Sequence, residues 1–369
     1  MTVRSVYNVI DLLYYILKMY GLAPYTRRKN QGGSYVYVQC KPSRKYLFSI
    51  LGFVVSLLGL GMVIFQVNQE QEMDTLEKTL YVGIIVQLVF NSAIIRVTFA
   101  RKIGQFFETL EILNLIDKTL SQIGVQISYK FIQKFSSVFV AIYILHPIFT
   151  CVHIYDQRDT LLTFGEYFGF GVPLLTFQIS LIIFLIYSVT LWNRFALINQ
   201  QISQLNSHNF TKIFVKRRIV LFSDLHQRLC KATLFLTECL SPGLLTMYLQ
   251  FLQMFTILML IVLNVGLPSY KADAMTWTLL ITGENLAMAI IIELIIYESE
   301  KTFRVLIDLE NYHRDRNTEL KVNTFLLQML HQKISFTLGG LFEFNLNKLL
   351  QSVGTVTNFV MFVLQIKHN

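Results

Sequence analysis

Long apolar blocks separated by polar stretches dominate the chain. Seven blocks are long enough to cross a bilayer: residues 46–67, 80–99, 131–155, 164–192, 240–267, 275–297 and 349–366. A hydrocarbon core needs about 20 predominantly apolar residues in a helix. Backbone groups in lipid must be paired within their own segment, so helices are expected. Pro147 and Pro173 fall inside the third and fourth blocks and mark candidate kinks. The stretches between blocks are also patterned. Residues 103–130 repeat apolar positions at helical spacing (Phe106, Leu110, Leu113, Ile116), and 195–239 behave alike. Residues 299–347 carry Phe303, Leu306 and Leu309, then a break, then an apolar run from Phe325 to Leu330. The membrane helices are therefore expected to continue into the cytoplasm and pack there.

Composition agrees with a membrane chain. Of 369 residues, 53% are hydrophobic and only 15% are charged, against about 25% charged in soluble domains. Charge then orients the spans. Basic residues crowd the segment before the first span (Arg27, Arg28, Lys29, Lys41, Arg44, Lys45) and the second, fourth and sixth connections, as at Lys216, Arg217 and Arg218. The first connection is acidic (Glu70, Glu72, Asp74, Glu77), and the third and fifth hold few bases. The positive-inside rule places the N-terminus in the cytoplasm, and seven crossings place the C-terminus outside. The net charge of +9 then reflects topology and anionic inner-leaflet lipid, with no nucleic-acid partner. Residues 6–22 read as an interfacial helix, and no cleavable signal pattern follows them.

The last block poses a chemical question. On a helical wheel Gln351, Thr355, Asn358, Phe362 and Gln365 fall within about 40° of one direction, with Gly354 and Ile366 beside them. Polar groups in a span must face protein or water. Two readings follow: hydrogen bonds to neighbouring helices within one bundle, or polar rings of a pore shared between subunits, with Phe362 and Ile366 as apolar constrictions.

This segment resembles the signature of insect gustatory receptors, which reads Thr-Tyr, five hydrophobic residues, Gln-Phe. Here it stands as Asn358, Phe359, VMFVL, Gln365, Ile366. Asn replaces Thr, Phe replaces Tyr and Ile replaces the last Phe. GLAPY at Gly21–Tyr25 and the run FEFNLNKLLQSVGTVTNF also resemble the family. The resemblance implies an all-α, seven-transmembrane bundle that assembles as a homo- or hetero-tetramer with other gustatory receptors. It implies a non-selective cation channel gated by a small-molecule tastant, in the plasma membrane of a gustatory neuron dendrite. Gln365 and Ile366 would stand at the gate. The implied organisation is a cytoplasmic N-terminal segment (1–45), a ligand-binding bundle (46–298), a cytoplasmic helical anchor (299–347) and a pore helix with a short tail (348–369).

The resemblance places the ligand in the extracellular half of the bundle. Candidates there are Tyr143, His153, Tyr155, Glu166, Tyr167, Phe170, Phe177, Trp277, Glu284 and Asn285. Aromatic walls with few polar groups suit a hydrophobic, bitter-type compound better than a sugar. Glu284 is a carboxyl about 12 Å into its span at about 1.5 Å per residue, which makes it either a binding group or a hydrogen-bonded structural one. Glu293, deeper towards the cytoplasm, reads as structural.

Other classes fit less well. A G-protein-coupled receptor has its N-terminus outside and would carry Asp-Arg-Tyr and Asn-Pro-x-x-Tyr, which are missing; HRDR at His313–Arg316 lies in a loop. A transporter stays open, but without an internal repeat. No HExxH, GxSxG or P-loop supports an enzyme. Gly32–Ser34 and Gly339–Gly340 lack a phosphate-binding context. The four cysteines, Cys40, Cys151, Cys230 and Cys239, have neither disulfide-framework nor metal spacing, and no cofactor or metal is expected. His146 and His153 read as packing residues. Asn209-Phe210-Thr211 is a glycosylation sequon on the cytoplasmic side, where it would not be used.

Overall fold

The computed structural model describes residues 18, 25–29, 35–39, 47–69, 75–135, 137, 138, 141, 171–207, 210–262, 271–312 and 315–368. Strands β1 (Tyr25–Lys29) and β2 (Tyr35–Gln39) precede helices α1 (Leu47–Gln69), α2 (Thr75–Gln122), α3 (Val172–Ser207), α4 (Lys212–Val262), α5 (Lys271–Tyr312) and α6 (Arg316–His331). Strands β3 (Thr337–Leu338) and β4 (Phe342–Glu343) then lead into α7 (Leu346–His368).

Five helices are long and apolar enough to cross a membrane, within 49–69, 82–122, 172–205, 212–259 and 278–311. They overlap the predicted first, second, fourth, fifth and sixth spans, with 164–170 of the fourth and 263–267 of the fifth outside the described residues, and α7 contains the seventh. The predicted third span is helical at 130–135, and most of it lies outside the described residues. Helices α2, α3, α4 and α5 run for 48, 36, 51 and 42 residues. At about 1.5 Å per residue each exceeds a hydrocarbon core of about 30 Å, so each protrudes, as the periodicity of 103–130 and 195–239 predicts. The predicted break after Leu309 is the end of α5 at Tyr312, and α6 carries Phe325 into the core.

Helix α3 is the axle of the bundle. Its apolar window is wholly buried, as expected of a helix that is hydrophobic all round. It packs most extensively on α5, while α2 packs on α4. Helix α1 is peripheral. It buries Val63 and Val67 against Ile85 and Val89 of α2 and leaves Leu51, Leu58 and Phe65 exposed, the pattern of a lipid-facing helix.

Polar groups tie the long helices together beyond the apolar runs. Arg194 of α3 donates to Asp117 of α2 through Nε at 2.6 Å and Nη2 at 3.2 Å. Tyr129 donates to Asp117 Oδ2, and its ring lies 5.1 Å from the Arg194 guanidinium carbon. Burial, reinforced by the Asp117 charge, pushes the Tyr129 phenol well above its ordinary range, so it remains a donor. Further along, Asn199 Nδ2 of α3 donates to the Glu298 carbonyl at 2.7 Å, and Thr302 Oγ1 donates to Asn199 Oδ1 at 2.6 Å.

Some features were not foreseen. The all-α frame carries two antiparallel hairpins, β1–β2 with Tyr25 opposite Gln39, and β3–β4 with Thr337 opposite Glu343. Gly339 and Gly340 have φ of 61° and 73°, conformations open to glycine and costly for other residues. The pair is a hairpin turn. The predicted interfacial helix 6–22 falls outside the described residues apart from helical Lys18. Pro147 also lies outside them, and Pro173 is the second residue of α3. The proline deep within a helix is Pro242 of α4.

Candidate functional site

The final helix begins on two anchors. Asn345 caps it, its Oδ1 accepting from the Lys348 backbone N–H at 2.9 Å. The half-buried Glu293 of α5 accepts from the Leu346 N–H at 3.4 Å, where a helix N-terminus favours negative charge. The β3–β4 hairpin before it is fastened to α4. Ser241 Oγ donates to the Thr337 carbonyl at 2.6 Å and accepts from the Gly339 N–H at 2.6 Å. Tyr248 of α4 then hydrogen-bonds Ser352 of α7, and its ring lies 5.5 Å from Phe342 and 5.7 Å from Phe344.

These contacts set the rotation of α7. Leu349 and Val360 are buried, and Val353, Val356 and Thr357 are half-buried against the bundle. Gln351, Thr355, Asn358, Phe362 and Gln365 are all exposed. The predicted stripe therefore turns away from its own subunit, and hydrogen bonding inside one bundle does not explain it. The Ile366 side chain lies outside the described residues. Phe359 and Met361 are exposed beside the stripe, so the outward face mixes amides with large apolar groups.

The ligand candidates divide differently. Tyr143, His153, Tyr155, Glu166, Tyr167 and Phe170 lie outside the described residues. Trp277 belongs to α5, with its side chain outside them. Phe177 on α3 and Glu284 and Asn285 on α5 are 2%, 4% and 2% exposed. Asn285 Nδ2 donates to the Ile281 carbonyl at 2.9 Å. Its Oδ1 and the Glu284 Oε1 have no hydrogen-bond partner among the described residues. Two inter-helix bonds fix the level of these groups. Thr278 Oγ1 donates to the Met254 carbonyl of α4 at 3.3 Å, and Asn199 meets Glu298. Counting back along α3 and α5 from that second contact sets Glu284 about one turn from Ser188. Ser188 Oγ, both amide atoms of Gln178 and Gln250 Oε1 are likewise buried without partners among the described residues. Buried polar atoms are normally satisfied, so these groups on α3, α4 and α5 are available to a water or a bound molecule.

Sequence reasoning passed over Gln178, Ser188 and Gln250, which lie singly in apolar runs. It also passed over Arg96, buried in the predicted second span, whose Nη2 donates to Thr176 Oγ1 at 2.5 Å. A β-carbon at Gly52 of α1 would overlap the Arg96 guanidinium, so the absent side chain makes its room. One Arg in a span was the available signal. Among the described residues, no group of three or more His, Cys, Asp or Glu could hold a metal ion.

Comparison with solved structures agrees with this architecture. The insect olfactory receptor OR5 from Machilis hrabei superposes with a TM-score of 0.71 at 12% identity, covering 98% of each chain. The same receptor in complex with eugenol gives 0.66 at 11% identity, again over 98% of each chain. No curated protein matches the sequence. The model of the 7tm chemosensory receptor family matches residues 10–369. With that match spanning nearly all of a seven-helix membrane bundle, the chain belongs to the 7tm chemosensory receptor family, a family of receptors and not of enzymes.

Proposed function

We propose that this protein is a gustatory receptor subunit acting as a ligand-gated, non-selective cation channel. In this reading four copies, or this chain with related receptors, gather α7 around a common axis in the plasma membrane of a gustatory neuron. The observation that carries it is the outward stripe of Gln351, Thr355, Asn358, Phe362 and Gln365 on α7, the helix read from the sequence as the seventh span. An amide stripe facing lipid is costly, whereas facing a shared aqueous axis it is solvated. The amides carry no formal charge, so they admit cations without strong discrimination among them. Residues 46–298 serve as the ligand-binding bundle, 299–347 as the cytoplasmic anchor and 348–369 as the pore helix with its tail, behind an N-terminal segment at 1–45.

The ligand is a hydrophobic, bitter-type small molecule held between the outer parts of the helices. The OR5 complex contains eugenol, a small phenol, and a comparable compound fits the aromatic candidates with Phe177, Trp277, Glu284 and Asn285 here. A single hydroxyl or amine meeting Glu284 would satisfy one orphaned atom at modest desolvation cost.

The test is to express the full chain and record membrane currents against panels of bitter compounds and sugars. Ligand-evoked cation currents are expected without G-protein signalling. Gln365→Ala should alter gating or rectification at normal surface level. Unchanged currents in that variant would reduce α7 to scaffold, and activation by sugars alone would overturn the ligand class.

A further inference from the structure

The break in α4 at Pro242 offers a second functional element. Proline has no N–H, so it cannot complete the helix bond to the carbonyl four residues back. That carbonyl belongs to Glu238. In this structure it is taken by another helix: Lys102 Nζ of α2 donates to the Glu238 carbonyl oxygen at 2.9 Å. The Glu238 carboxylate is held by the same turn of α2, where Gln105 Nε2 donates to its Oε2 at 2.7 Å. Cys239 Sγ adds a contact to the Lys102 carbonyl at 3.7 Å. One turn of α2 thus supplies from outside what Pro242 removes from inside.

The packing beside the break is incomplete by one small void. A cavity of about 10 Å³, near the size that admits a single water, lies beside it. Its walls include Thr98 and Phe99 of α2, Ser180 of α3, and Cys239, Gly243 and Met247 of α4. Gly243 follows the proline directly, so the chain there is thin as well as missing a bond.

The break also lies where α4 carries the last helix. Ser241, one residue before Pro242, holds the β3–β4 hairpin. Three and six residues after it, Leu245 underlies Gly339 and Tyr248 clasps Ser352 of α7. A bend at Pro242 therefore moves the attachments of α7 on the far side of the break relative to that on the near side.

We propose that Lys102 is a positioning residue for gating: its bond to the Glu238 carbonyl locks α4 at the Pro242 break, and releasing it lets α4 bend and shift α7. The proposal rests on the reading of α7 as a pore helix. It deepens that reading by naming a residue that touches neither ligand nor pore. Lysine suits the task because its single ammonium on a flexible stem reaches one carbonyl without a fixed fork.

A double-mutant cycle tests it in the full-length protein reconstituted in lipid nanodiscs. The four chains are wild type, Lys102→Met, Pro242→Ala and the double variant. Alanine at 242 restores an N–H to the Glu238 carbonyl, so Lys102 becomes dispensable there. Hydrogen exchange of the amides just after residue 242 is expected to quicken about tenfold in Lys102→Met, a charge-assisted bond being lost. It should not change when Lys102→Met is added to Pro242→Ala. Equal effects of Lys102→Met on both backgrounds would overturn the lock. The same chains, recorded unliganded in planar bilayers, should show an open probability shifted about tenfold by Lys102→Met on the Pro242 background alone. Conducting channels whose open probability ignores Lys102 would overturn the coupling to α7. If none of the four conducts, a channel built of this chain alone is ruled out, while the exchange result still decides the lock.

Discussion

At the scale of single residues, charge is placed where its partners are complete. Asp117 and Arg194 lie 2.6 Å apart with side chains 7% and 0% exposed, and Tyr129 adds a third bond. Removing one member of such a pair strands the other, at a cost of about 3–5 kcal/mol, whereas replacing both with apolar groups is often near neutral. Asp117→Leu should therefore lower the melting temperature of the purified protein sharply, and Asp117→Leu with Arg194→Met should recover most of the loss. A double variant as unstable as the single one would assign the pair another role. The pH dependence follows from Tyr129. Its folded pKa is raised above the ordinary 10.0, so its stabilising contribution is complete below 10.0 and is lost as pH climbs through the folded value. Melting curves from pH 6 to 9 should thus show no dependence traceable to Tyr129, and Tyr129→Phe should be less stable by a constant amount across that window. None of this triad was legible in the sequence, because its members are far apart along the chain and only the fold brings them together.

At the scale of elements, the apolar blocks announced the membrane helices well. Their run lengths exceed what a soluble core needs, and the period of Phe106, Leu110, Leu113 and Ile116 exposed the extension of α2; all four are buried. What stayed hidden was how α7 is aimed. The stripe from Gln351 to Gln365 could be drawn on a wheel, but its direction depends on Ser241, Tyr248 and the β3–β4 hairpin, whose two-residue strands carry no period. The glycine pair was visible in the sequence, yet without its partner Leu245 it was only two small residues. The hairpin makes a sharp prediction. A β-carbon at Gly339 would sit 2.6 Å from Leu245 Cδ2, at a positive φ that alanine adopts only under strain. Gly339→Ala should destabilise the protein by roughly 1–3 kcal/mol. Ser241→Ala, which abandons a carbonyl and an N–H together, should cost a similar amount. Limited proteolysis between α6 and α7 would report both. Intact resistance in both variants would mean that the hairpin does not hold α7.

At the scale of the whole molecule, the proposed direction of the helices rests on which side holds the basic connections. Sequence charge predicts Arg217 and Arg218 in the cytoplasm; in the structure they are exposed and half-exposed near the start of α4, before it turns apolar. In the proposed orientation the Gln365 end of α7 lies outside and the hairpin end inside, so that the amide stripe would open towards the extracellular solution. The chain carries its own reporter of this arrangement. Asn209-Phe210-Thr211 is a glycosylation sequon immediately before α4, on the side assigned to the cytoplasm, where no glycan can be attached. In cells the protein should therefore show no mobility shift on glycosidase treatment, while a sequon on a short spacer added after Asn369 should be modified. The two sites stand at opposite ends of the arrangement, so a glycan on Asn209 with none on the added site would invert all seven spans together. Gln365 would then face the cytoplasm. The ligand candidates Phe177 and Glu284 would be approached from inside the cell, and a receptor for external compounds could not be built on this fold.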